Sequence, residues 1–127
     1  MRKFAILIAT MLFAMMIAVP IAYAASIQCK SDKCNGTSSK DNMLERRGDN
    51  RNDNIFGKAG NDRLRADKYT DDVDRLSGQK GKDTLNAEDG DAEDSLDGGP
   101  GHDKCFGDGD PGDNEDQYIS CEEINGA

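Results

Sequence analysis

The chain repeats one short pattern at intervals of about 21 residues, and this repetition limits the fold more than any other feature. Three segments align without gaps: GKAGNDRLR at 57–65, GQKGKDTLN at 78–86 and GGPGHDKCF at 98–106. Each has glycine at places one and four and aspartate at place six, and a degenerate copy, GTSSKDNML, occupies 36–44. A period of this length indicates stacked structural units, each of which contacts only its neighbours.

Looser copies lie between these segments and keep only the aspartate and a large side chain two places later. They are NDNIF at 52–56, VDRLS at 73–77, EDSLD at 93–97 and EDQYI at 115–119. The repeated aspartates, in order, are Asp41, Asp53, Asp62, Asp74, Asp83, Asp94, Asp103 and Asp116. The intervals between them alternate between long and short, at 12, 9, 12, 9, 11, 9 and 13 residues, so each period contains two half-turns.

The N-terminal segment is typical of a secretory signal peptide. Residues 1–24 contain two basic residues, a long apolar run, Pro20, and alanines at 22 and 24 in the spacing that signal peptidase recognises. We therefore expect cleavage after Ala24 and a secreted, extracellular product, with the periplasm and the cell surface as other destinations. The alternative is an uncleaved membrane anchor, because the run from Ala5 to Ala22 is about long enough to span a bilayer. Pro20 and the small residues favour cleavage.

Without that segment the chain has too few apolar residues for an ordinary hydrophobic core. Leu, Ile, Val and Phe together number 12 of the remaining 103 residues. This fraction lies below the roughly 20% at which highly charged chains are expected to be disordered, so another source of folding free energy is required. With 14 basic and 25 acidic residues left, the net charge is about −11, which disfavours nucleic acid and anionic membranes as partners and favours cations.

Four cysteines in an exported chain predict two disulfides, which can pair in three ways. We favour Cys29 with Cys34 and Cys105 with Cys121, because each pair is close in sequence and would staple one end of the domain. A zinc site is the alternative, but the spacings contain no Cys-x-x-Cys and His102 is the only histidine.

The repeated segments resemble the nonapeptide GGxGxDxUx of the RTX, or haemolysin-type, calcium-binding proteins, where U is a large apolar residue. The similarity covers roughly residues 35–119, and only GGPGHDKCF keeps all the glycines. The resemblance implies an all-β fold, a right-handed parallel β-roll (a β-solenoid) of about four coils, with Ca2+ held between stacked turns. The organisation that we expect is a signal peptide at 1–24, an N-terminal cap with a disulfide at 25–34, calcium-binding repeats at 35–119 and a C-terminal cap or tail at 120–127.

The chemistry of each place supports this assignment. Glycine at places one and four allows positive φ and lets carbonyl oxygens point at a common centre. Aspartate supplies a hard anionic oxygen of the kind that calcium prefers, and the residue two later faces the interior because side chains alternate along a strand. The candidate ligands at the short-interval edge, for two stacked ions, are Gly57, Gly60, Asp62, Gly78, Gly81, Asp83, Gly98, Gly99, Gly101 and Asp103, with a third site at Asp41. At the long-interval edge they are Asp53, Asp74, Asp94 and Asp116, which either bind calcium with altered geometry or are solvated.

We expect a calcium-ion-binding protein that is disordered or loosely coiled without calcium and folds when calcium binds. Its role would be that of a structural or interaction module with a cell-surface, matrix or secreted protein partner. The alternatives are an accessory or calcium-buffering domain for a secreted enzyme, and an acidic disordered binder of divalent ions. We predict no enzyme activity, because the sequence contains neither H-E-x-x-H nor G-x-S-x-G and His102 lies at a variable place in a turn.

Overall fold

The computed structural model describes residues 24–45, 51–66, 72–90, 93–109 and 116–125. Except for Ala24, the predicted signal peptide lies outside the described residues. The described part of the chain consists of short strands and turns, without a helix. The strands are β1 (Ala25–Cys29), β2 (Lys33–Asn35), β3 (Asp41–Glu45), β4 (Asn54–Ala59), β5 (Arg63–Arg65), β6 (Arg75–Lys80), β7 (Thr84–Ala87), β8 (Ser95–Asp97), β9 (Lys104–Gly107), β10 (Gln117–Ile119) and β11 (Glu123–Asn125).

Successive strands of the chain belong alternately to two parallel sheets. The odd-numbered strands make a six-stranded sheet in the order β1-β3-β5-β7-β9-β11, and the even-numbered strands make a five-stranded sheet in the order β2-β4-β6-β8-β10. Each coil therefore contributes one strand to each sheet and then stacks on the coil before it. Strands β3 to β10 make four such coils, which confirms the predicted all-β solenoid of about four turns.

The core is a thin layer between the sheets, formed by one inward side chain from most strands. In the six-stranded sheet, Met43, Leu64, Leu85 and Cys105 are neighbours in register. Ile55, Leu76 and Leu96 form the corresponding column in the five-stranded sheet. All seven side chains have 0% exposure, because each lies two residues after a repeated aspartate and points to the same face of its strand.

The stacking continues on both sides of residues 35–119. At the N-terminal end, β1 pairs with β3 and β2 pairs with β4; at the other end, β11 pairs with β9. The sequence of these outer strands carries a weak form of the repeat, since Asp32 precedes Cys34 by two residues and Glu122 precedes Ile124 by two. Cys34 pairs with Ile55 and Ile124 pairs with Cys105, in register with the core columns.

Two disulfides link neighbouring segments at the two ends of the stack. Cys29 is bonded to Cys34, which joins β1 to β2, and Cys105 of β9 is bonded to Cys121, just before β11. These are the pairs that the sequence analysis favoured, and no cysteine is free. The first and the last coils are thus closed by covalent bonds where fewer neighbouring coils cover them.

Candidate metal centre

Two rows of buried aspartates run along the stack, one at each edge where the chain passes between the sheets. We call the edge formed by residues 36–41, 57–62, 78–83 and 98–103 the tight edge. The edge formed by the connections that end at Asp53, Asp74, Asp94 and Asp116 is the long edge. All eight repeated aspartates are buried in the structure. The predicted ligands are therefore brought together in two sets, as their spacing required.

At the tight edge, three aspartates are each tied to the coil before them by one carboxylate oxygen. The backbone N–H of Asp41 donates to Oδ1 of Asp62 at 2.8 Å, that of Asp62 to Oδ1 of Asp83 at 2.8 Å, and that of Asp83 to Oδ1 of Asp103 at 2.7 Å. These hydrogen bonds span 20 or 21 residues. One oxygen of each carboxylate therefore sets the stacking of two coils.

The second oxygen of three of these carboxylates has no hydrogen-bond partner within the described residues. Oδ2 of Asp62, Asp83 and Asp103 is buried and accepts no hydrogen bond there. Burial raises the pKa of Asp62 and Asp103, and it raises the pKa of Asp83 to about 6. A buried carboxylate without a compensating charge is costly, so each oxygen requires a cation or a proton. Calcium, which takes six to eight oxygen ligands, fits this donor set.

Asp41 differs from the other tight-edge aspartates because its own turn satisfies its carboxylate. The backbone N–H of Thr37 donates to Asp41 Oδ2 at 2.6 Å, and the Thr37 hydroxyl contacts the same oxygen at 3.0 Å. Thr37 occupies place two of the degenerate copy at 36–44. The carboxylate of Asp41 is thus already hydrogen-bonded without an ion.

Glycine at place one is required for space beside the aspartate of its own turn. A Cβ on Gly57 would lie 2.6 Å from Asp62 Oδ2, and one on Gly78 would lie 2.3 Å from Asp83 Oδ2. The corresponding distance from Gly98 to Asp103 Oδ2 is 2.7 Å. The expectation of positive φ at place one was wrong, since these glycines are absent from the left-handed residues. The unpartnered oxygens instead lie where a side chain at place one would be.

Glycine at place four is required by the close approach of neighbouring coils. A Cβ on Gly81 would lie 1.5 Å from the carbonyl oxygen of Gly60, and one on Gly101 would lie 1.6 Å from that of Gly81. Gly60 and Gly81 also have positive φ, at 137° and 142°. Place two is left-handed as well, which the sequence analysis did not predict. It is occupied by Gly99 in the last turn, but by Lys58 and Gln79 in the two turns before it.

The comparisons with known proteins agree with this geometry. A family model described as "RTX calcium-binding nonapeptide repeat (4 copies)" matches residues 47–68, 69–91 and 92–113, which is more than half of the chain. The chain belongs to the RTX calcium-binding repeat family. This confirms the resemblance found in the sequence, and it identifies Ca2+ as the ion that the repeats bind. No curated protein and no solved structure matches the chain.

RTX membership also bears on function in a general way. Such repeats support calcium binding and a structural role, and both the repeats and the solenoid fold are typically non-catalytic. RTX repeat proteins are typically extracellular. Within the described ranges, no helix is both long enough and apolar enough to cross a membrane.

The long edge of this RTX roll carries the second row of aspartates. The N–H of Asp53 donates to Asp74 Oδ1 at 2.8 Å, that of Asp74 to Asp94 Oδ1 at 2.7 Å, and that of Asp94 to Asp116 Oδ1 at 3.1 Å. Oδ2 of Asp94 is buried without a hydrogen-bond partner among the described residues. Burial, followed by the nearby charges of Asp89, Asp116 and Asp74, raises the pKa of Asp94 to about 8.

A cluster of three buried carboxylates also lies at the long edge. Glu45, Asp72 and Asp74 each offer an oxygen, and these atoms lie within 4.8 Å of one another. Sequence reasoning missed Glu45. The alternation along β3 could have indicated it, because Glu45 lies two residues after Met43 and therefore on the same inward face. Asp71 and Asp91, two further acidic residues that precede Asp74 and Asp94 in the sequence, lie outside the described residues.

Glu122 completes the tight-edge row and was also missed. The N–H of Asp103 donates to Glu122 Oε2 at 2.7 Å, so a glutamate takes the place that the next aspartate would have. The signal in the sequence is the apolar Ile124 two residues later. The row of carboxylates thus ends on a residue with a longer side chain.

Proposed function

We propose that the protein is an exported, calcium-dependent RTX roll that winds when calcium binds and then acts as a structural or interaction module outside the cytoplasm. The observation that supports this most is a row of buried oxygens on Asp62, Asp83 and Asp103, in three consecutive turns, that have no hydrogen-bond partner among the described residues. Three such groups cannot all be ionised in a stable roll unless positive charge lies beside them.

Two tight-edge calcium sites are the centre of this proposal. One would use the turns at 57–62 and 78–83, and the other would use the turns at 78–83 and 98–103. The aspartate carboxylates and the carbonyl oxygens of the glycine-rich turns would hold the ions. Calcium would supply the charge that offsets the buried carboxylates, and it would link one coil to the next.

The long edge is proposed as a further calcium region centred on Asp94. Its unpartnered oxygen resembles those of the tight edge, and Asp74 and Asp116 stand before and after it in the same row. Asp53 continues that row toward the N-terminus. At the tight edge, a site at Asp41 has less support, because Thr37 already satisfies that carboxylate.

Calcium titration of the oxidised, exported protein tests the proposal. After chelation, far-ultraviolet circular dichroism should report a largely unfolded chain, and added calcium should restore β-structure. Calorimetry should give at least two cooperative sites with selectivity over magnesium. A spectrum that does not change with calcium, or graded binding that does not distinguish the two ions, would contradict it. The mass of the exported protein tests cleavage after Ala24.

Asp83 gives a sharper test because it belongs to both proposed tight-edge sites. The Asp83→Asn variant keeps an oxygen for the Asp62 N–H but removes the charge, so both sites should weaken and the calorimetric stoichiometry should fall by up to two. Asp32→Asn is the matched control, because the Asp32 side chain is exposed just before β2, away from the tight edge, and the substitution removes the same charge. Equal calcium stoichiometry in the two variants would contradict these sites.

A further inference from the structure

The outward face of β5, β7 and β9 carries three basic side chains and one aromatic ring on this acidic protein. Its side chains stand in two rows across the three strands. One row consists of Arg63, Thr84 and Lys104, and the other consists of Arg65, Asn86 and Phe106. Neighbouring strands of a sheet lie about 4.8 Å apart, so each row presents three different groups along roughly 10 Å.

The two arginines on this face make no ion pair and no side-chain hydrogen bond within the described residues. Both are exposed, although the chain has a formal net charge of −9 and many carboxylates. Two other cations are paired, since Lys104 contacts Glu123 and Arg51 lies 3.5 Å from Asp32. Arg63 and Arg65 are two residues apart on one strand, so their guanidinium groups project from the same side.

A shallow depression of about 630 Å³ lies between these rows. Its lining includes both arginines, Thr84, Asn86, Glu88 and Phe106. The amide Nδ2 of Asn86 donates to Glu88 Oε2 at 2.7 Å, which orients that side chain and leaves its Oδ1 as an acceptor. Phe106 is half-buried and contributes an aromatic surface to the same depression.

These groups match the parts of an acidic sugar. A guanidinium binds a carboxylate through two parallel hydrogen bonds, and an aromatic ring packs against an apolar ligand face. Amide, hydroxyl and carboxylate side chains exchange hydrogen bonds with hydroxyl groups. Glu88 and the acidic edges disfavour a polymer with dense negative charge, whereas a uronic acid carries one carboxylate for each sugar.

We propose that this face binds an anionic polysaccharide of the polyuronate class, with Arg63 and Arg65 on the carboxylates and Phe106 against a sugar ring. This inference rests on the proposed function, because the rows exist only when the coils are stacked. It deepens that function by naming the partner of the interaction module and the surface that takes it.

The test is calorimetric titration of the calcium-loaded, oxidised protein with a tetramer of galacturonic acid, which is short enough to limit cross-linking by calcium. A neutral tetramer of glucose and inorganic phosphate are the comparison probes. We expect the uronate tetramer to bind more tightly than either, with an affinity that falls as salt is added. Equal affinity for the neutral tetramer, or for phosphate alone, would overturn the proposal.

Substitutions on the face locate the binding. Arg63→Ala with Arg65→Ala should reduce uronate affinity by about tenfold or more, because two charge-assisted contacts are lost. Arg75→Ala on the outward face of β6 removes an equally exposed arginine from the other sheet and should leave uronate affinity unchanged. Arg65→Lys keeps the charge but loses the planar fork, so its affinity should lie between those of the parent and the double variant. Equal losses in the double variant and in Arg75→Ala would overturn the assignment of the face.

Failure of this inference can be told apart from failure of the proposed function. Each sample is first titrated with calcium and followed by circular dichroism. A protein that folds with calcium but ignores the uronate tetramer contradicts only the polysaccharide site. A protein that does not respond to calcium contradicts the proposed function itself.

Discussion

At the scale of single residues, the repeated aspartate acts through its two oxygens separately. In Asp62, Asp83 and Asp103, Oδ1 accepts a backbone N–H from the neighbouring coil, while Oδ2 has no partner among the described residues. Asparagine could accept the same N–H but would bring no charge for a cation. Place six therefore combines a stacking contact with a charge that the roll must offset.

The left-handed place two offers a way to stabilise the roll by a single substitution. Lys58 and Gln79 have φ values of 80° and 71° without the freedom of glycine. We expect Lys58→Gly and Gln79→Gly each to raise the free energy of unfolding by about 1 kcal/mol. A left-handed residue with a Cβ costs about 1–2 kcal/mol, and the greater conformational entropy of glycine in the unfolded chain offsets part of the gain. Denaturant unfolding in excess calcium measures the effect.

Lys82→Gly is the control for this prediction. Lys82 lies in the turn after Gln79 and is exposed, but it is not among the left-handed residues, so glycine there should lower stability. If Lys58→Gly and Lys82→Gly destabilised the roll equally, strain at place two would be contradicted.

At the scale of elements, the unit of this protein is a turn followed by a short strand. Strands of three to six residues cannot persist alone, and each acquires its hydrogen bonds from the coils before and after it. The first and last strands have only one neighbour in their sheet, which explains the disulfide at each end. At the C-terminal end, Glu122 adds a hydrogen bond to the same closure.

Glu122 should therefore hold the last coil in place. In Glu122→Ala the N–H of Asp103 loses its acceptor, and an unsatisfied, partly buried donor costs about 1–3 kcal/mol. We expect the amide of Asp103 to exchange hydrogen at least ~10-fold faster, while amides of β4 and β5 keep their rates. Native-state hydrogen exchange in calcium measures this.

The neighbouring Glu123→Ala is the matched control. Glu123 is only partly buried and contacts Lys104 and His102 at the surface, so its removal should leave exchange at Asp103 nearly unchanged. Similar exchange rates in the two variants would mean that Glu122 does not close the row.

At the scale of the whole molecule, two rows of carboxylates are held in a body with a thin apolar core. Each buried carboxylate repels its neighbours in the row, and desolvation adds to this cost. The roll can lower the cost in two ways, by binding cations or by binding protons. Calcium and acid should therefore both favour the folded state of the same chain, and they should compete.

This competition predicts an unusual dependence on pH. The raised pKa of Asp83, to about 6, and of Asp94, to about 8, means that the folded state without calcium binds more protons than the unfolded state above the ordinary aspartate pKa. Stability without calcium should thus fall as pH rises above the ordinary aspartate pKa, with the contribution of Asp83 lost by about pH 6 and that of Asp94 by about pH 8. Circular dichroism of the chelated protein across this range measures it.

The affinity for calcium should change in the opposite direction. Because calcium displaces protons from these carboxylates, its apparent affinity should rise between about pH 5 and pH 8. Calorimetry at several pH values, with buffers of different ionisation heat, would count the protons released. An apo protein that gains structure as pH rises would contradict the role assigned to these aspartates.

The sequence by itself determined the architecture of this protein. A period of about 21 residues with two aspartates in each period placed β3 to β10, and alternation along the strand placed Met43, Ile55 and Leu64 in the core. The disulfide pairs followed from proximity in sequence. These properties are one-dimensional, because a solenoid stacks equivalent positions, and so spacing alone specifies which residues become neighbours.

Only the tertiary structure decided how the oxygens are shared. It showed that Thr37 satisfies Asp41, that Glu45 joins Asp72 and Asp74, and that Glu122 ends the tight-edge row. It also showed that place one needs glycine because a Cβ there would collide with an aspartate, and not because the backbone has a positive φ. Spacing could not reveal these features, because a hydrogen bond or a steric contact is decided by differences of a few tenths of an ångström in the distance between two atoms.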